Sequence, residues 1–165
     1  MTTLSRLPDL AALPAAQIPA SARAMARFSL FDWMVCGRAG VGEPLAGILR
    51  GYVAAEGGRP GASILGGGQA PARAAALVNG ATSHALDCDD THFGHVGHPS
   101  VGIYPAALAV GEEVGASAAA VSDAFWHCQR KLSCRGQIGH PAFEDARTQP
   151  VSFLQDKPRD HPPDA

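Results

Sequence analysis

The segment from residue 71 to residue 83 contains mostly small side chains, and this feature limits the fold more than any other in the sequence. Pro71 suits the first position of a helix, and alanine, glycine, serine and asparagine dominate the residues after it. Because small side chains let a second helix approach closely, the segment predicts a helix buried within a bundle. Asn79 and Gly80 lie in its middle, where glycine lowers helix propensity by about 1 kcal/mol. A turn at these two residues is therefore the alternative.

Apolar residues at helical spacing predict two helices before this segment. Ser21 is a suitable N-cap for the first helix, which runs to Gly37. Its apolar positions are Met25, Phe28, Phe31 or Trp33, and Val35. Pro44 begins the second helix, which stops at Gly57. Its apolar positions are Leu45, Ile48, Leu49, Tyr52 and Val53.

A triple glycine, residues 66–68, separates the second helix from the small-residue segment. The preceding residues, Ser63 to Leu65, fit a brief strand that leads into a flexible turn. A phosphate-binding loop is disfavoured, because no Gly-Lys-Ser/Thr comes after it and the spacing does not fit a dinucleotide fingerprint.

Two further helices are predicted near the end of the periodic region. The first contains Tyr104 and Leu108 and ends before Gly115, with Pro105 at its start or in its first turn. Ser117 caps the second, which reaches Trp126. Residues 21–126 therefore predict an all-α bundle of about five helices, with short connections and close antiparallel packing.

The two ends of the chain differ from this region. Residues 1–20 are a proline-rich lead-in, and residues 127–165 hold five of the thirteen prolines but only two of the nineteen glycines. With little periodicity, residues 127–165 predict a divergent, disordered or irregular tail with few buried contacts. A frameshift in the gene would explain such a change. We expect no site contribution from His127, His140 or His161; a genuine tail that supplies His140 as a catalyst is the alternative.

Composition excludes several classes of function. A net charge of -2 gives no electrostatic case for nucleic acid or an anionic membrane. No apolar run is long enough for a signal peptide or a bilayer span. The four cysteines form no Cys-x-x-Cys pair, so neither a zinc ribbon nor a disulfide framework is indicated. We therefore expect a soluble cytoplasmic protein.

The stretch from Asp87 to His98 carries the chemistry of the chain, with three carboxylates and three imidazoles within twelve residues. One interpretation is a solvated turn in which Asp90 or Ser100 caps the next helix. A second is a zinc or iron site, because three histidines are spaced by three residues. The three are His92, His95 and His98.

A third interpretation is a site for a carboxylate substrate. Backbone amides at the helix start after His98 attract a carboxylate, and a protonated His98 and the Ser100 hydroxyl would add charge and a donor. Asp87 and Thr91 are four residues apart and would share a face if the preceding helix continued through them. A carboxyl group among other carboxylates has a raised pKa, which makes it a usable proton carrier.

The sequence around this stretch resembles the MmgE/PrpD family, which includes 2-methylcitrate dehydratase, cis-aconitate decarboxylase and iminodisuccinate epimerase. The resemblance is strongest between Ala74 and Ser117 and extends more loosely from about Ser21 to Phe125. The motifs that carry it are Val78-Asn79-Gly80, His84-Ala85-Leu86-Asp87-Cys88-Asp89-Asp90-Thr91, His98-Pro99-Ser100 and Pro105-Ala106-Ala107-Leu108-Ala109.

This resemblance implies the N-terminal part of a helical domain, a homodimer, and a site that acts on small polycarboxylates without metal or cofactor. It assigns catalytic roles to Asp87, Thr91 and His98. Substrate contacts would come from Asp90, Ser100 and His84.

The implied activity is that of a hydro-lyase of the 2-methylcitrate dehydratase type, with decarboxylase and epimerase as alternatives. Family members are much longer, and their later lysine-bearing helices and lid domain have no recognisable counterpart here. We therefore expect a truncated form with weak or no activity. The competing hypothesis is an inactive helical remnant that binds a polycarboxylate or dimerises.

Overall fold

The structure is a computed structural model that describes residues 14–92 and 97–136 of the 165-residue chain. The helices in these residues are α1 (Ala20–Gly40), α2 (Pro44–Glu56), α3 (Ala72–His84), α4 (Pro99–Val114) and α5 (Ala118–Gly136). A short 3-10 helix, Ala15–Gln17, precedes them. The two strands β1 (Ala62–Ser63) and β2 (Gln69–Ala70) pair antiparallel. The predicted all-α bundle is confirmed.

The predicted helix ends at Pro44, Gly57 and Ser117 agree with the structure. Ser21 was predicted as the N-cap of α1, but it lies inside the helix, whose N-cap is Pro19. Pro44 occupies the first turn of α2, and Gly57 ends that helix with a φ of 69°. Ser117 caps α5, because its hydroxyl accepts the N–H of Ala120 at 3.2 Å. At the end of α1, however, the helix passes through Gly37 and continues to Gly40. Both glycines are buried in a helix contact there, so they serve packing and do not end the helix.

The contact of α1 with α3 confirms that small residues permit a close helix approach. A β-carbon placed on Gly40 would lie only 2.0 Å from the carbonyl oxygen of Thr82. The indole N–H of Trp33 donates to the Ser83 hydroxyl at 2.8 Å in the same contact. The helix α3 is continuous through Asn79 and Gly80, so the alternative of a turn at these residues is wrong.

Asn79 has a tertiary role that explains its place in the middle of α3. Its side-chain carbonyl accepts the N–H of Leu65 at 2.8 Å, and its amide donates to the carbonyl of Ser63 at 2.9 Å. These bonds hold the small hairpin of β1 and β2 against the helix. The three glycines between the strands all have positive φ, which is why the turn contains them.

The core between α1, α4 and α5 is built around Tyr104. Its ring stacks on Phe125 with a centroid distance of 4.0 Å, and its hydroxyl donates to the carbonyl of Ala26. The helix α4 begins at Pro99, six residues before Pro105, which lies inside the helix and is buried. A β-carbon on Gly80 of α3 would meet the Pro105 ring at 3.6 Å. The Pro105 ring of α4 therefore packs against Gly80 of α3.

The outward faces of α1 and α2 are apolar. On α1, Trp33 is buried whereas Phe28, Phe31 and Val35 are exposed. On α2 only Val53 is buried among the large residues, and the exposed ones are Leu45, Ile48 and Tyr52. The sequence pattern identified amphipathic helices but not which apolar residues face inward.

The last helix extends beyond the predicted domain boundary. Phe125 and Trp126 are buried, and α5 continues for ten more residues to Gly136. The ring of His127 packs edge-on against Trp126 at 5.1 Å. His140 and His161, and the rest of the predicted tail after residue 136, lie outside the described residues. Among the described helices, none is both long and apolar enough to cross a membrane.

Candidate active site

The connection between α3 and α4 brings together two histidines that are far apart in sequence. His84 is the last residue of α3, and His98 directly precedes α4. Their rings lie 4.8 Å apart, measured between centroids. The N–H of His92 donates to the carbonyl of Gly97 at 2.9 Å, which joins the two sides of the loop. Residues 93–96 lie outside the described residues.

Asp89 is the buried centre of this site, although the sequence pattern assigned it no role. Its Oδ1 lies 2.8 Å from Nδ1 of His84 and 3.4 Å from Nδ1 of His98. The side chain is 0% exposed. Its Oδ2 has no hydrogen-bond partner among the described residues. Asp89 therefore contacts both imidazoles, in each case at the Nδ1 atom of the ring.

The tautomer of the His98 ring can be assigned from its neighbours. Its Nδ1 lies 3.2 Å from the backbone carbonyl of Asp89, and a carbonyl can only accept a hydrogen bond. Nδ1 must then carry the hydrogen, which leaves Nε2 as the ring nitrogen that faces away from the Asp89 carbonyl. Nε2 faces the carboxylate of Asp87 at 3.4 Å. The two groups are therefore in direct contact at the exposed side of the site.

Asp87 is exposed and has an unusual backbone conformation. Its φ of 52° lies in the left-handed region, which aspartate tolerates better than most residues. Asp87 and Thr91 would share a helical face only if α3 continued through them, and α3 already ends at His84. The Thr91 hydroxyl instead donates to the carbonyl of Asp89 at 3.5 Å. Thr91 is thus linked to the site through the backbone of Asp89.

Asp90 and Ser100 form a buried pair beneath the histidines. The carboxylate of Asp90 accepts the Ser100 hydroxyl at 2.6 Å and the Ser100 N–H at 3.1 Å. The N–H of Asp90 donates to Oδ2 of Asp32 on α1 at 3.0 Å. Asp90 thus caps the first turn of α4, but it does so from a buried position and not from the solvated turn that one interpretation of the sequence proposed. In this conformation neither donor of Ser100 is offered to a ligand.

Burial raises the pKa values of Asp90 and Asp32. It raises the pKa of Asp90, although the two hydrogen bonds from Ser100 oppose the shift. Burial also raises the pKa of Asp32, against the hydrogen bond from the N–H of Asp90. Asp32, like Asp89, was not identified from the sequence, since a single aspartate in a helix gives no signal of a contact made 58 residues away.

Four side chains of the site could together hold a divalent cation. Their ligand atoms all lie within 4.8 Å of one another. The four are His84, Asp87, Asp89 and His98. Of the three histidines in the sequence-based metal hypothesis, only His98 belongs to this set, and His95 lies outside the described residues.

The fold and the site define a helical bundle with a close contact of small residues and with a loop of clustered aspartates and histidines before one helix. The comparison with family models agrees with that class: the MmgE/PrpD N-terminal domain matches residues 10–128. The chain belongs to the MmgE/PrpD family, as the motifs indicated. A search of curated proteins returned no match.

Proposed function

We propose that this site binds a small polycarboxylate and moves a proton at the carbon next to one of its carboxylates. The reaction would be that of a hydro-lyase of the 2-methylcitrate dehydratase type. The observation that supports it best is the contact of Asp87 with Nε2 of His98, whose other ring nitrogen is held by buried Asp89. Family membership supports the choice of substrate class.

Dehydration of a hydroxy acid needs one group to take the proton and another to protonate the departing hydroxyl. Asp87 and His98 can divide these tasks, because one member of a pair 3.4 Å apart can be a carboxylate while the other is a protonated imidazole. Asp89 restrains the His98 ring, and Thr91 binds the same stretch of backbone. His84 adds a second imidazole to meet a substrate carboxylate.

Asp90 and Ser100 support the site from below in this proposal. Their paired hydrogen bonds fix the first turn of α4, and His98 directly precedes that turn. Their influence on a substrate would be through the position of His98. Decarboxylation and epimerisation use the same proton chemistry, so they remain alternative reactions for the same groups.

The second candidate function is polycarboxylate binding without turnover. Among the described residues, the ion pairs of Asp87 and Asp89 are with histidines alone. One proton-exchanging pair supports binding and slow exchange more readily than a complete dehydration.

We also propose that a second copy of the chain covers the apolar face of α1. A shallow groove of about 650 Å³ there is lined by Phe31, Met34 and Val35, beside Arg38. Apolar patches of this kind mark association surfaces.

A cytoplasmic location fits the described thiols, which are free.

The test of the proposed function is to incubate the purified protein with 2-methylcitrate, cis-aconitate and iminodisuccinate and follow each by proton NMR. We expect turnover of one substrate that falls by ~10²–10⁴-fold in Asp87→Asn and in His98→Gln. Asparagine is chosen because it removes the charge of Asp87 yet tolerates its left-handed backbone.

Matched controls are Glu113→Gln on α4 and His127→Gln on α5, which make the same acid-to-amide and histidine-to-glutamine changes elsewhere. Both should keep full activity. Turnover that survives in Asp87→Asn and His98→Gln would contradict the proposed mechanism. Saturable binding of a polycarboxylate without turnover, lost in the same two variants, would favour the second candidate.

A further inference from the structure

Two cysteines from distant parts of the chain meet beside the candidate site. Cys36 lies on α1, Cys88 lies in the loop, and their sulfur atoms are 3.3 Å apart. Cys36 is buried, whereas Cys88 is exposed. The thiol of Cys88 donates a hydrogen bond to the sulfur of Cys36. Neither the sequence pattern nor the proposed reaction gives this contact a role.

The surrounding structure holds the two thiols in register. One helical turn before Cys36, Oδ2 of Asp32 accepts the N–H of Asp90, which ties the loop to α1 next to the thiols. A disulfide has a sulfur–sulfur distance of ~2.0 Å, so closing this gap needs a shift of little more than 1 Å. A cross-link would therefore add to an existing contact.

We propose that Cys36 and Cys88 form a hydroperoxide-responsive dithiol site, which closes to a reversible disulfide and fixes the loop to α1. In the first step the sulfur of Cys88 takes an oxygen from the hydroperoxide and its O–O bond breaks. The Cys88 thiol proton leaves with the other oxygen as an alcohol or water. The product at Cys88 is a sulfenic acid.

In the second step the sulfur of Cys36 bonds to the sulfur of Cys88, and the S–O bond breaks. The hydroxyl leaves as water with the thiol proton of Cys36. The two thiols together lose two electrons, and these electrons reduce the hydroperoxide. Atoms and electrons balance without any group beyond the hydroperoxide.

Exposure decides the order of these steps. Solvent reaches Cys88, so a hydroperoxide meets this thiol first. Burial raises the pKa of Cys36 to about 12, and the hydrogen bond with Cys88 adds to the shift. Cys36 therefore stays a thiol toward external oxidants. Its sulfur is the partner within reach of oxidised Cys88, because the two sulfur atoms lie 3.3 Å apart.

Closing the disulfide would also change the acid/base site. Cys88 stands between Asp87 and Asp89, the two carboxylates that contact His98. Moving its sulfur toward α1 pulls on the backbone that carries both. We expect the hydrogen bonds of His84 and His98 to change when the disulfide forms.

The first test treats the full chain with hydrogen peroxide, followed by digestion without reductant and mass spectrometry. We expect a peptide pair that joins Cys36 to Cys88 and separates again with dithiothreitol. Cys128→Ser, which removes the other described thiol, should give the same cross-link. In Cys36→Ser, Cys88 should instead be trapped by dimedone as a sulfenic acid. Wild-type Cys88 that reaches sulfinic acid while Cys36 stays free for alkylation would overturn the proposal.

The second test records the imidazole nitrogen resonances of His84 and His98 by NMR before and after peroxide. They should shift in the wild type and in Cys128→Ser but stay unchanged in Cys36→Ser. A cross-link that forms without moving these resonances would refute the link between the thiols and the site. No substrate is used in either experiment, so the outcome does not depend on the proposed lyase activity.

Discussion

The first seven residues of the loop between α3 and α4 form two halves that use the same residue type in opposite ways. In the first half, residues 85–88, the side chain of Asp87 is 78% exposed. In the second half, residues 89–91, the side chain of Asp89 is 0% exposed and Asp90 is also buried. The exposed acid contacts imidazoles at the mouth of the site. The buried acids hold α1, α4 and both histidines in place.

The difference indicates how stability and chemistry are divided in this loop. A buried carboxylate needs hydrogen-bond partners because an unpaired one is costly, and those partners then depend on it. An exposed carboxylate has little effect on folding and can meet a substrate. Changes in the buried half should therefore lower stability, whereas changes in the exposed half should lower binding and turnover.

The largest expected effect is on stability when Asp90 is replaced. Asp90→Ala leaves the buried N–H and hydroxyl of Ser100 without acceptors, and each unsatisfied group costs ~1–3 kcal/mol. We expect the free energy of unfolding in urea, followed by circular dichroism, to fall by ~2–5 kcal/mol. Asp87→Asn should change it by less than ~0.5 kcal/mol, as is usual for exposed positions.

Equal losses in Asp90→Ala and Asp87→Asn would break the comparison between the two halves. Ser100→Ala gives an intermediate check, because it removes only the hydroxyl donor and leaves the backbone bond. Its loss of unfolding free energy should be smaller than that of Asp90→Ala.

A smaller effect should be visible in the pH dependence of stability. Burial raises the pKa of Asp90 in the folded protein, so the folded state holds this proton more tightly than the unfolded state. This tighter binding of the proton stabilises the folded protein. The stabilisation is complete below the unfolded pKa of about 4, and it is lost as pH rises through the higher folded pKa of Asp90. Asp90→Asn lacks this loss.

Urea unfolding of the wild type and Asp90→Asn at several pH values from about 3.5 to about 7 measures this prediction. The deficit of the variant relative to the wild type should shrink as pH rises. A deficit that grows with pH would mean that folding lowers the pKa of Asp90. Asp87→Asn, measured in parallel, controls for the general charge of the loop.

A still smaller effect on stability is expected at Thr91. Its hydroxyl makes a single long bond of 3.5 Å to the carbonyl of Asp89, so Thr91→Val should cost less than ~1 kcal/mol of unfolding free energy. If turnover falls by more than ~10-fold in this nearly stable variant, Thr91 acts on substrate. If turnover and stability fall to the same extent, Thr91 instead supports the structure, as the buried acids do.

The smallest effect should come from removing metal. Nδ1 of both His84 and His98 already faces Asp89, so these groups have partners without a cation. We expect dialysis against EDTA to leave the melting temperature unchanged, measured by circular dichroism. A drop in melting temperature that zinc restores in the wild type, but not in Asp89→Asn, would show that the four-residue cluster holds a cation.

Much of the fold follows from local sequence. Pro44, Gly57 and Ser117 mark helix ends because each acts through its own backbone or the next turn. The small residues of α3 predicted a close helix contact for the same local reason. Most of the acid and imidazole groups that meet in the site were also visible, since the density of Asp and His in one short stretch is a property of sequence.

Tertiary structure alone decided which of those groups are buried. The loop has no period, so nothing in the sequence distinguishes Asp87 from Asp89 or Asp90. Burial of the last two depends on α1, where Asp32 binds the backbone of Asp90, and Cys36 meets Cys88 through the same contact. The inward face of α1 was likewise settled by packing: Trp33 donates to Ser83 while Phe31 stays outside. Such choices depend on residues fifty or more positions away, because a side chain is buried only when another element covers it.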